Sequence, residues 1–455
     1  MMLRERYLRR DERERIVETP GEMMDRVAAY VAAAEDAYHA GTSDVWGEEF
    51  ARRLRALEFL PNSPTLMNAG TGIGVLSACF VLPVEDSLES IFATLGHAAV
   101  LHQAGAGTGF SFSRLRPAGD LVASTHGRSS GPVSFMRVYD LATEVIRQSG
   151  RRRGANMAVL DVSHPDIHEF ITAKSVPGEL EHFNLSVGVS DRFMHAALAG
   201  EMHDLVNPRT GRVVDHISAA QLLDLIASEA WNTGEPGLLF LDRINRSNPL
   251  PSSGRVEAPH PCGEVPLLPN ESCNLGSINL AKFVDRDRRT VDWHGLRAIT
   301  RVAVRFLDDV IDVNVYPTRI LADAARETRK IGLGVMGLAE LLAALGVPYD
   351  SDEAIDLGER VATCIHDEAT KASAQLAAKR GAFPCFERSI YAAHACPPLR
   401  NAQLTAIAPT GTISLIAGTT SGIEPIFAIA YARNIMGEHL VESNQLFERI
   451  AREEG

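Results

Sequence analysis

The chain has 455 residues, 45% hydrophobic and 23% charged, which is enough apolar material for a large core and a normal balance for a soluble globular enzyme. Its 45 basic and 58 acidic residues leave a net charge of −13, which argues against non-specific nucleic-acid binding, since that needs clustered positive charge; the run Arg151-Arg152-Arg153 is the local exception. Residues 1–15 are dense in Arg and Glu with no apolar core of a signal peptide, and no run reaches the length of a membrane span. A cytoplasmic location without a membrane partner is expected. The six cysteines (Cys79, Cys262, Cys273, Cys364, Cys385 and Cys396) are widely spaced and contain no C-x-x-C, so neither a disulfide framework nor a zinc ribbon is expected.

Residues 1–60 read as a charged, helical N-terminal region with Met24, Val27, Val31 and Ala34 on its apolar face. Residues 61–455 read as one continuous catalytic domain. Residues 77–82 form a buried strand, 88–101 a helix, 105–109 a glycine-rich turn and 110–112 a short strand. A helix over 133–148 precedes a strand over 156–162, a helix over 164–173, a strand over 183–189 and a helix through residue 198. Leu296, Ile299, Ala303, Phe306 and Val310 share one helix face, and 405–408 form a strand running into Pro409. This alternation predicts an α/β fold with parallel strands, open or closed into a barrel.

The most informative segment is Pro261-Cys262-Gly263-Glu264-Val265-Pro266. Prolines at both ends and a glycine inside make it a rigid loop that presents a thiol beside a carboxylate. A thiyl radical can remove a hydrogen atom from a sugar C–H bond, and a neighbouring carboxylate can take the adjacent hydroxyl proton. A buried structural cysteine fits the same loop. Cys273 follows eleven residues later and Cys79 lies in a predicted strand. Thiols on neighbouring strands could supply two electrons and close a disulfide, but spacing does not establish adjacency. Pro409-Thr410-Gly411-Thr412-Ile413-Ser414 suits a phosphate at a helix start, or ordinary N-capping. Residues 332–337 match G-x-G-x-x-G, but the charged residues 326–330 make a poor first strand for a dinucleotide site, and tight helix packing is the simpler reading. His164 and His168, at i, i+4, offer at most two of four metal ligands and read as a surface helix face. No metal site is expected.

In order along the chain, Arg6-Tyr7-Leu8, Asn62 to Gly70, Ser77-Ala78-Cys79-Phe80, Asp86-Ser87-Leu88, Gly105 to Gly109, Arg153-Gly154-Ala155-Asn156, Phe183 to Val187, Pro261 to Pro266, Glu271 to Gly276, Lys330 to Gly337 and Pro409 to Ser414 together resemble the ribonucleotide reductase large subunit, in particular its adenosylcobalamin-dependent class II type. The resemblance implies a ten-stranded α/β barrel with the radical cysteine on an internal finger loop, a water-excluding setting for radical chemistry. It also implies that ribonucleoside di- or triphosphates are reduced to deoxynucleotides, with adenosylcobalamin as radical source. By position, Cys262 resembles the thiyl site that takes the ribose 3′-hydrogen, Glu264 the base for the 3′-hydroxyl, and Cys79 with Cys273 the redox pair. Ser63, Ala78, Cys79, Gly107, His260, Pro261, Cys262, Gly263 and Glu264 match substrate-lining positions, and residues 409–414 match the substrate phosphate loop. Asp86, Ser87, Leu88 and Arg116 match a deoxynucleotide effector site at a homodimer interface. Arg151, Arg152, Arg153 and Asn156 match the loop between effector and substrate, where the arginines can answer nucleotide charge. The hexad at 332–337 belongs to the same pattern, which removes the dinucleotide reading.

Three departures stand out. His260 occupies a position usually held by Asn, which binds substrate hydroxyls; His can donate and accept but changes charge with pH. The chain ends at Gly455, soon after the phosphate loop and without the C-terminal cysteine pair that relays electrons from thioredoxin, so a missing C-terminal part, or direct reduction by a thioredoxin-type protein or small thiol, is expected. No ATP-cone fits before Arg6, so no overall activity site is expected. The alternatives are a class I-type subunit with a separate radical partner, a class III-type enzyme, and a non-catalytic nucleotide-binding relative. The joint presence of Cys79, Cys262, Cys273 and Glu264 argues against the last.

Overall fold

The computed structural model describes residues 2–122, 126–146, 154–285, 288–435 and 438–454. The N-terminal region is helical because its signals agree. Helix α1 (Pro20–Ala32) starts at Thr19, whose hydroxyl accepts the Glu22 N–H while the Glu22 carboxylate accepts the Thr19 N–H. It buries Met23, Met24, Val27, Ala28 and Val31 at helical spacing. Helix α2 (Ser43–Arg55) packs against it.

Eight strands form one mixed sheet. In chain order they are β1 (Phe59–Pro61), β2 (Cys79–Pro83), β3 (Gly107–Ser111), β4 (Asn156–Asp161), β5 (Phe183–Val189), β6 (Gly237–Phe240), β7 (Ser272–Asn279) and β8 (Ile331–Met336). Strands β2 to β6 run parallel in that order. Helix α3 (Leu88–Gln103) connects β2 to β3, and α4 (Gly131–Val145) connects β3 to β4. Strand β7 lies antiparallel to β2 and to β1, and β8 runs parallel to it on its other side. Strands β7 and β8 are buried at every residue, as expected of strands covered on both faces. Two long helices, α5 (Trp293–Val313) and α6 (Asp352–Arg380), pack together, and α5 joins the N-terminal helices to β7 and β8. Its buried stripe contains the expected Leu296, Ile299, Ala303, Phe306 and Val310. Phe110, Phe112, Tyr139 and Phe183 pack as tilted and edge-on rings between β3, β5 and α4.

The barrel-type α/β sheet has eight strands among the described residues, where the resemblance implies ten. Three details differ from the sequence reading. Residues 405–408 are not a full strand; they meet β8 through one bridge, Leu333 with Thr405, and through the bonds Leu333 N–H to Leu404 O and Ala406 N–H to Leu333 O. Gly107 and Gly109 lie inside β3 rather than in a turn, for a reason given below. His164 is buried instead of lining a surface helix, with Nε2 2.8 Å from Leu115 O and Nδ1 accepting the Asp166 N–H at 3.0 Å. It braces a turn, and burial lowers its basicity.

The G-x-G-x-x-G segment follows the packing reading. Gly332 and Gly334 are strand residues, and a Cβ on Gly334 would lie 2.4 Å from Ala406 O. Gly337, with φ +78°, makes the left-handed turn into the helix Leu338–Leu345.

Candidate active site

Residues 258–267 form a narrow hairpin in which Ala258–Pro259 pairs with Pro266–Leu267. It lies against the inner face of β3 and β4 and carries His260, Cys262 and Glu264 at its tip. The glycines of β3 make room for it. A Cβ on Gly109 would lie 1.9 Å from Pro259 O, and one on Gly107 would lie 3.1 Å from Pro261 Cγ. The first is an impossible contact with backbone, so the residue must be glycine for the finger to seat. Asn184 of β5 anchors the tip by donating to Pro261 O at 2.7 Å. Gly263, at φ +87°, reverses the chain between thiol and carboxylate.

The tip enters a cavity of about 300 Å³. Of the expected substrate positions, Ser63, Ala78, Cys79, Gly107, His260, Pro261, Cys262, Glu264 and residues 409–413 line it; Gly263 and Ser414 do not. Cys262 is exposed, whereas the His260 and Glu264 side chains are 3% and 8% exposed, with Nε2 and Oε2 2.9 Å apart. That contact is close but not aligned as a hydrogen bond, since neither atom has a hydrogen-bond partner among the described residues. It leaves donor and acceptor capacity unused.

Cys79 and Cys273 stand directly opposite each other in the antiparallel ladder of β2 and β7. Opposed residues in such a ladder have Cα atoms roughly 4.5–5.5 Å apart, inside the window a disulfide needs. Both are reduced and buried. Burial pushes the Cys273 thiol well above its ordinary value, with Glu264 adding to the rise, so it stays protonated. Behind it Lys330 Nζ meets Glu271 Oε2 at 2.5 Å, a fully buried ion pair.

In the 409–414 loop, Thr410 is tied down: its N–H donates to Ser421 Oγ at 3.1 Å and its hydroxyl accepts the Gly422 N–H at 2.8 Å. The following Gly411 and Thr412 N–H groups have no hydrogen-bond acceptor among the described residues.

The sequence reading missed several lining residues. Tyr7 and Arg6 reach the cavity from the charged N-terminus, and the Tyr7 hydroxyl sits 2.7 Å from Ser63 Oγ. Asn62 caps the short helix Ser63–Asn68 through Oδ1, while its buried Nδ2 has no partner among the described residues and lines the same cavity. The Tyr-Leu pair amid charges at residues 7 and 8 was the available signal.

The expected effector residues lie apart from this cavity. Arg116 Nε donates to Asp86 Oδ2 at 2.9 Å, Ser87 caps α3, and Leu88 is exposed. Arg151, Arg152 and Arg153 lie outside the described residues. Asn156 is not a loop residue: it is the buried first residue of β4, accepting from the Thr108 hydroxyl and donating to Thr143 Oγ1.

Comparison with known proteins bears on this arrangement. Residues 1–74 match the family described as ribonucleotide reductase, all-alpha domain, and residues 77–454 match ribonucleotide reductase, barrel domain. The chain is 63% identical over 455 residues to the vitamin B12-dependent ribonucleoside-diphosphate reductase of Mycobacterium tuberculosis, an alignment covering 100% of this chain and 65% of that protein. It is 46% identical over 511 aligned positions to the protein of the same name from Thermoplasma acidophilum, covering 100% of this chain and 66% of the relative. It is 32% identical over 487 positions to the vitamin B12-dependent ribonucleotide reductase of Streptomyces avermitilis, covering 91% and 50%. The chain therefore spans about 65% of the length of the first of these relatives. On the family matches and these identities, the chain belongs to the ribonucleotide reductase large-subunit family.

Proposed function

We propose that this chain reduces ribonucleotides to 2′-deoxyribonucleotides by thiyl-radical chemistry, supplying DNA precursors. The observation that carries the reading is the register that sets Cys273 directly behind Cys79, which lines the cavity entered by Cys262 and Glu264. The Cys262 thiyl takes the 3′-hydrogen atom of the ribose and later returns it. Glu264 accepts the 3′-hydroxyl proton. The 2′-hydroxyl leaves as water, and Cys79 and Cys273 give up two hydrogen atoms and become a disulfide. Nucleotide and thiols thus balance: one C–O bond becomes C–H as two S–H bonds become one S–S bond. A thioredoxin-type protein or a small dithiol then restores the thiols. The N–H groups of Gly411 and Thr412 suit the substrate phosphates, and Arg6 is the one Lys or Arg among the lining residues.

The radical source we infer is adenosylcobalamin, as the names of the relatives imply. Bound, it supplies the carbon-centred radical that removes the hydrogen atom of a thiol. The site fits this use, because Cys262 is exposed while the His260 and Glu264 side chains beside it are buried. Of the lining residues, the apolar Met67, Ala155 and Pro261 suit a neutral adenosyl group. Anaerobic incubation of the chain with CDP or CTP, adenosylcobalamin and dithiothreitol tests the reading. Deoxynucleotide is expected only when the cobalamin is present. Absence of product from both nucleotides, with nucleotide still bound, would sink the claim that this chain carries the reaction.

We also infer a homodimer with a deoxynucleotide effector at its interface. Leu88, Phe92 and Val100 of α3 and Val138, Leu141 and Val145 of α4 expose apolar side chains at i, i+3, i+4 and i+8 spacings, giving each helix an apolar stripe that is uncovered among the described residues. The Arg116–Asp86 pair lies at the start of α3. A second copy presenting the same stripes would cover both. Phe92→Asp combined with Leu141→Asp is expected to shift the chain to monomer in sedimentation and to abolish the response of the reaction to dATP or dTTP. A dimer that survives both changes would assign the contact elsewhere. The net charge of −13 leaves no role for nucleic acid in this reading. Among the described residues no helix is long and apolar enough to cross a membrane, and we place the chain in the cytoplasm.

A further inference from the structure

His260 contacts both functional residues of the finger, Cys262 through its backbone N–H and Glu264 through its carboxylate. Its Nδ1 accepts the backbone N–H of Cys262 at 3.3 Å, and its carbonyl accepts the N–H of Gly263 at 3.0 Å. Its Nε2 lies 2.9 Å from Glu264 Oε2, and the residue is only 2% exposed. A nitrogen that accepts a hydrogen bond does not carry the ring proton, so the Cys262 contact assigns the neutral ring's proton to Nε2, facing the carboxylate. The side-chain atoms of Cys79, His260 and Glu264 lie within 4.8 Å of one another, close enough to suggest a cation site. The same tautomer argues otherwise, because a protonated Nε2 has no lone pair to give.

We propose that His260 is a positioning residue that makes the Cys262 turn depend on ring protonation. With a neutral ring, Nδ1 holds the Cys262 N–H and fixes the thiol relative to Glu264. An added proton can enter only at Nδ1. The acceptor then becomes a donor facing the Cys262 N–H, that bond is lost, and the Cys262–Gly263 turn is released while Glu264 balances the imidazolium. The proton comes from solvent and returns to it. The groups that face the ring are Glu264 on the same hairpin and Cys79 on β2, with Cys262, Arg6 and Tyr7 lining the same cavity. The wall formed by β3 brings Gly107 and Gly109, which carry no charge. Behind Cys79 stand Cys273 and the Lys330–Glu271 pair, which is neutral as a unit. Glu264 is therefore the charge in contact with the ring.

Amide hydrogen exchange of the whole chain, read by mass spectrometry and corrected for the intrinsic rate at each pH, tests this directly. Imidazoles change charge between pH 5 and 8. Protection of the Cys262–Glu264 segment is expected to fall roughly fivefold from about pH 8 to about pH 5.5, the scale of one lost hydrogen bond. In His260→Asn the side-chain carbonyl accepts the same N–H at every pH, so the profile is expected to be flat. His260→Gln serves if the first variant fails to fold, and unchanged protection of β2 to β5 verifies the fold. Nitrogen-15 spectra of labelled histidine supply an independent readout in the parent chain: the neutral ring is expected in the Nε2–H form, with its protonation tracking the loss of protection. A flat profile in the parent chain, the same slope in a folded variant, or a neutral ring protonated at Nδ1 would each overturn the proposal. What the released turn does to catalysis rests on the radical reading above. The exchange experiment reads the loop itself and stands or falls separately.

Discussion

A Cys262→Ser chain is expected to form no deoxynucleotide under conditions in which the parent chain turns over. The substitution changes one atom at the tip of the finger. Because Cys262 is exposed and its loop is held by Asn184, His260 and the Gly263 reversal, the backbone has no reason to move. The chemistry does change, because an O–H bond is much stronger than an S–H bond and a carbon radical cannot extract its hydrogen at a useful rate. A barrier raised by only about 4 kcal/mol already costs roughly three powers of ten, and the expected loss is larger than that. Nucleotide affinity is expected to stay within about threefold, since serine keeps a polar group at the site and leaves the phosphate loop intact. Product formation is read by chromatography and affinity by equilibrium dialysis. A serine chain that keeps more than about a hundredth of the parent rate would remove Cys262 from its role. On the proposed reading, Cys79→Ser or Cys273→Ser is expected to separate the later step, leaving hydrogen abstraction open and blocking the two-electron reduction.

The residues of this site were unequally legible in the sequence. Cys262 and Glu264 were readable because prolines and a glycine isolate them from regular structure, so a short window carries the whole signal. The pairing of Cys79 with Cys273 was implied by the family resemblance and could not be read from spacing. It depends on the register between strands far apart in the chain, which is set by the tertiary packing of β7 against β2. The glycines of β3 were misread as a turn because glycine has two uses, positive φ and close approach. At Gly109 it is the backbone of Pro259 that demands the missing Cβ. Tyr7 and Arg6 were overlooked because a charged terminus looks like solvent-exposed chain, yet Tyr7 is buried and bonded to Ser63. Strands β2, β4 and β5 of the parallel half were legible as short apolar runs, β3 only in its last residues, and β6 was not read. Residues 405–408 show the limit of that signal, since their bonds to β8 fall short of a regular ladder.

The adjacent carboxylates Asp308 and Asp309 are expected to respond oppositely to replacement by Asn. Both are fully buried on α5, where it meets α6 and the N-terminal region. Asp308 accepts from Arg329 at 2.9 Å, Arg380 at 2.9 Å, Arg400 at 3.3 Å and Asn401 at 3.1 Å. Burial alone would raise its pKa, but the three guanidiniums outweigh burial and hold it below the usual carboxylate range. Asp309 accepts from Arg380 at 2.6 Å, its other oxygen has no partner among the described residues, and Arg380 is shared with Glu35. Burial pushes Asp309 well above the ordinary value; Arg380 opposes the rise and Glu35 adds to it. The two neighbours are thus pushed in opposite directions, Asp308 toward the ionised form and Asp309 toward the protonated one. Asp308→Asn leaves buried guanidiniums without their common anion and is expected to cost about 3–5 kcal/mol in urea unfolding. Asp309→Asn mimics the protonated form and is expected to cost less than about 1 kcal/mol. The pH dependence has opposite signs. Asp308, with its depressed folded value, contributes stability that is present above the unfolded carboxylate value and lost as pH falls through the folded one. Asp309, with its raised folded value, contributes stability that is present at low pH and lost as pH rises from the unfolded value through the folded one. The deficit of Asp308→Asn should therefore shrink in acid. The Asp309→Asn chain should gain on the parent as pH rises through that window. Equal losses from the two substitutions at neutral pH would mean that the carboxylates share their charge and that the assignment of a proton to Asp309 is wrong.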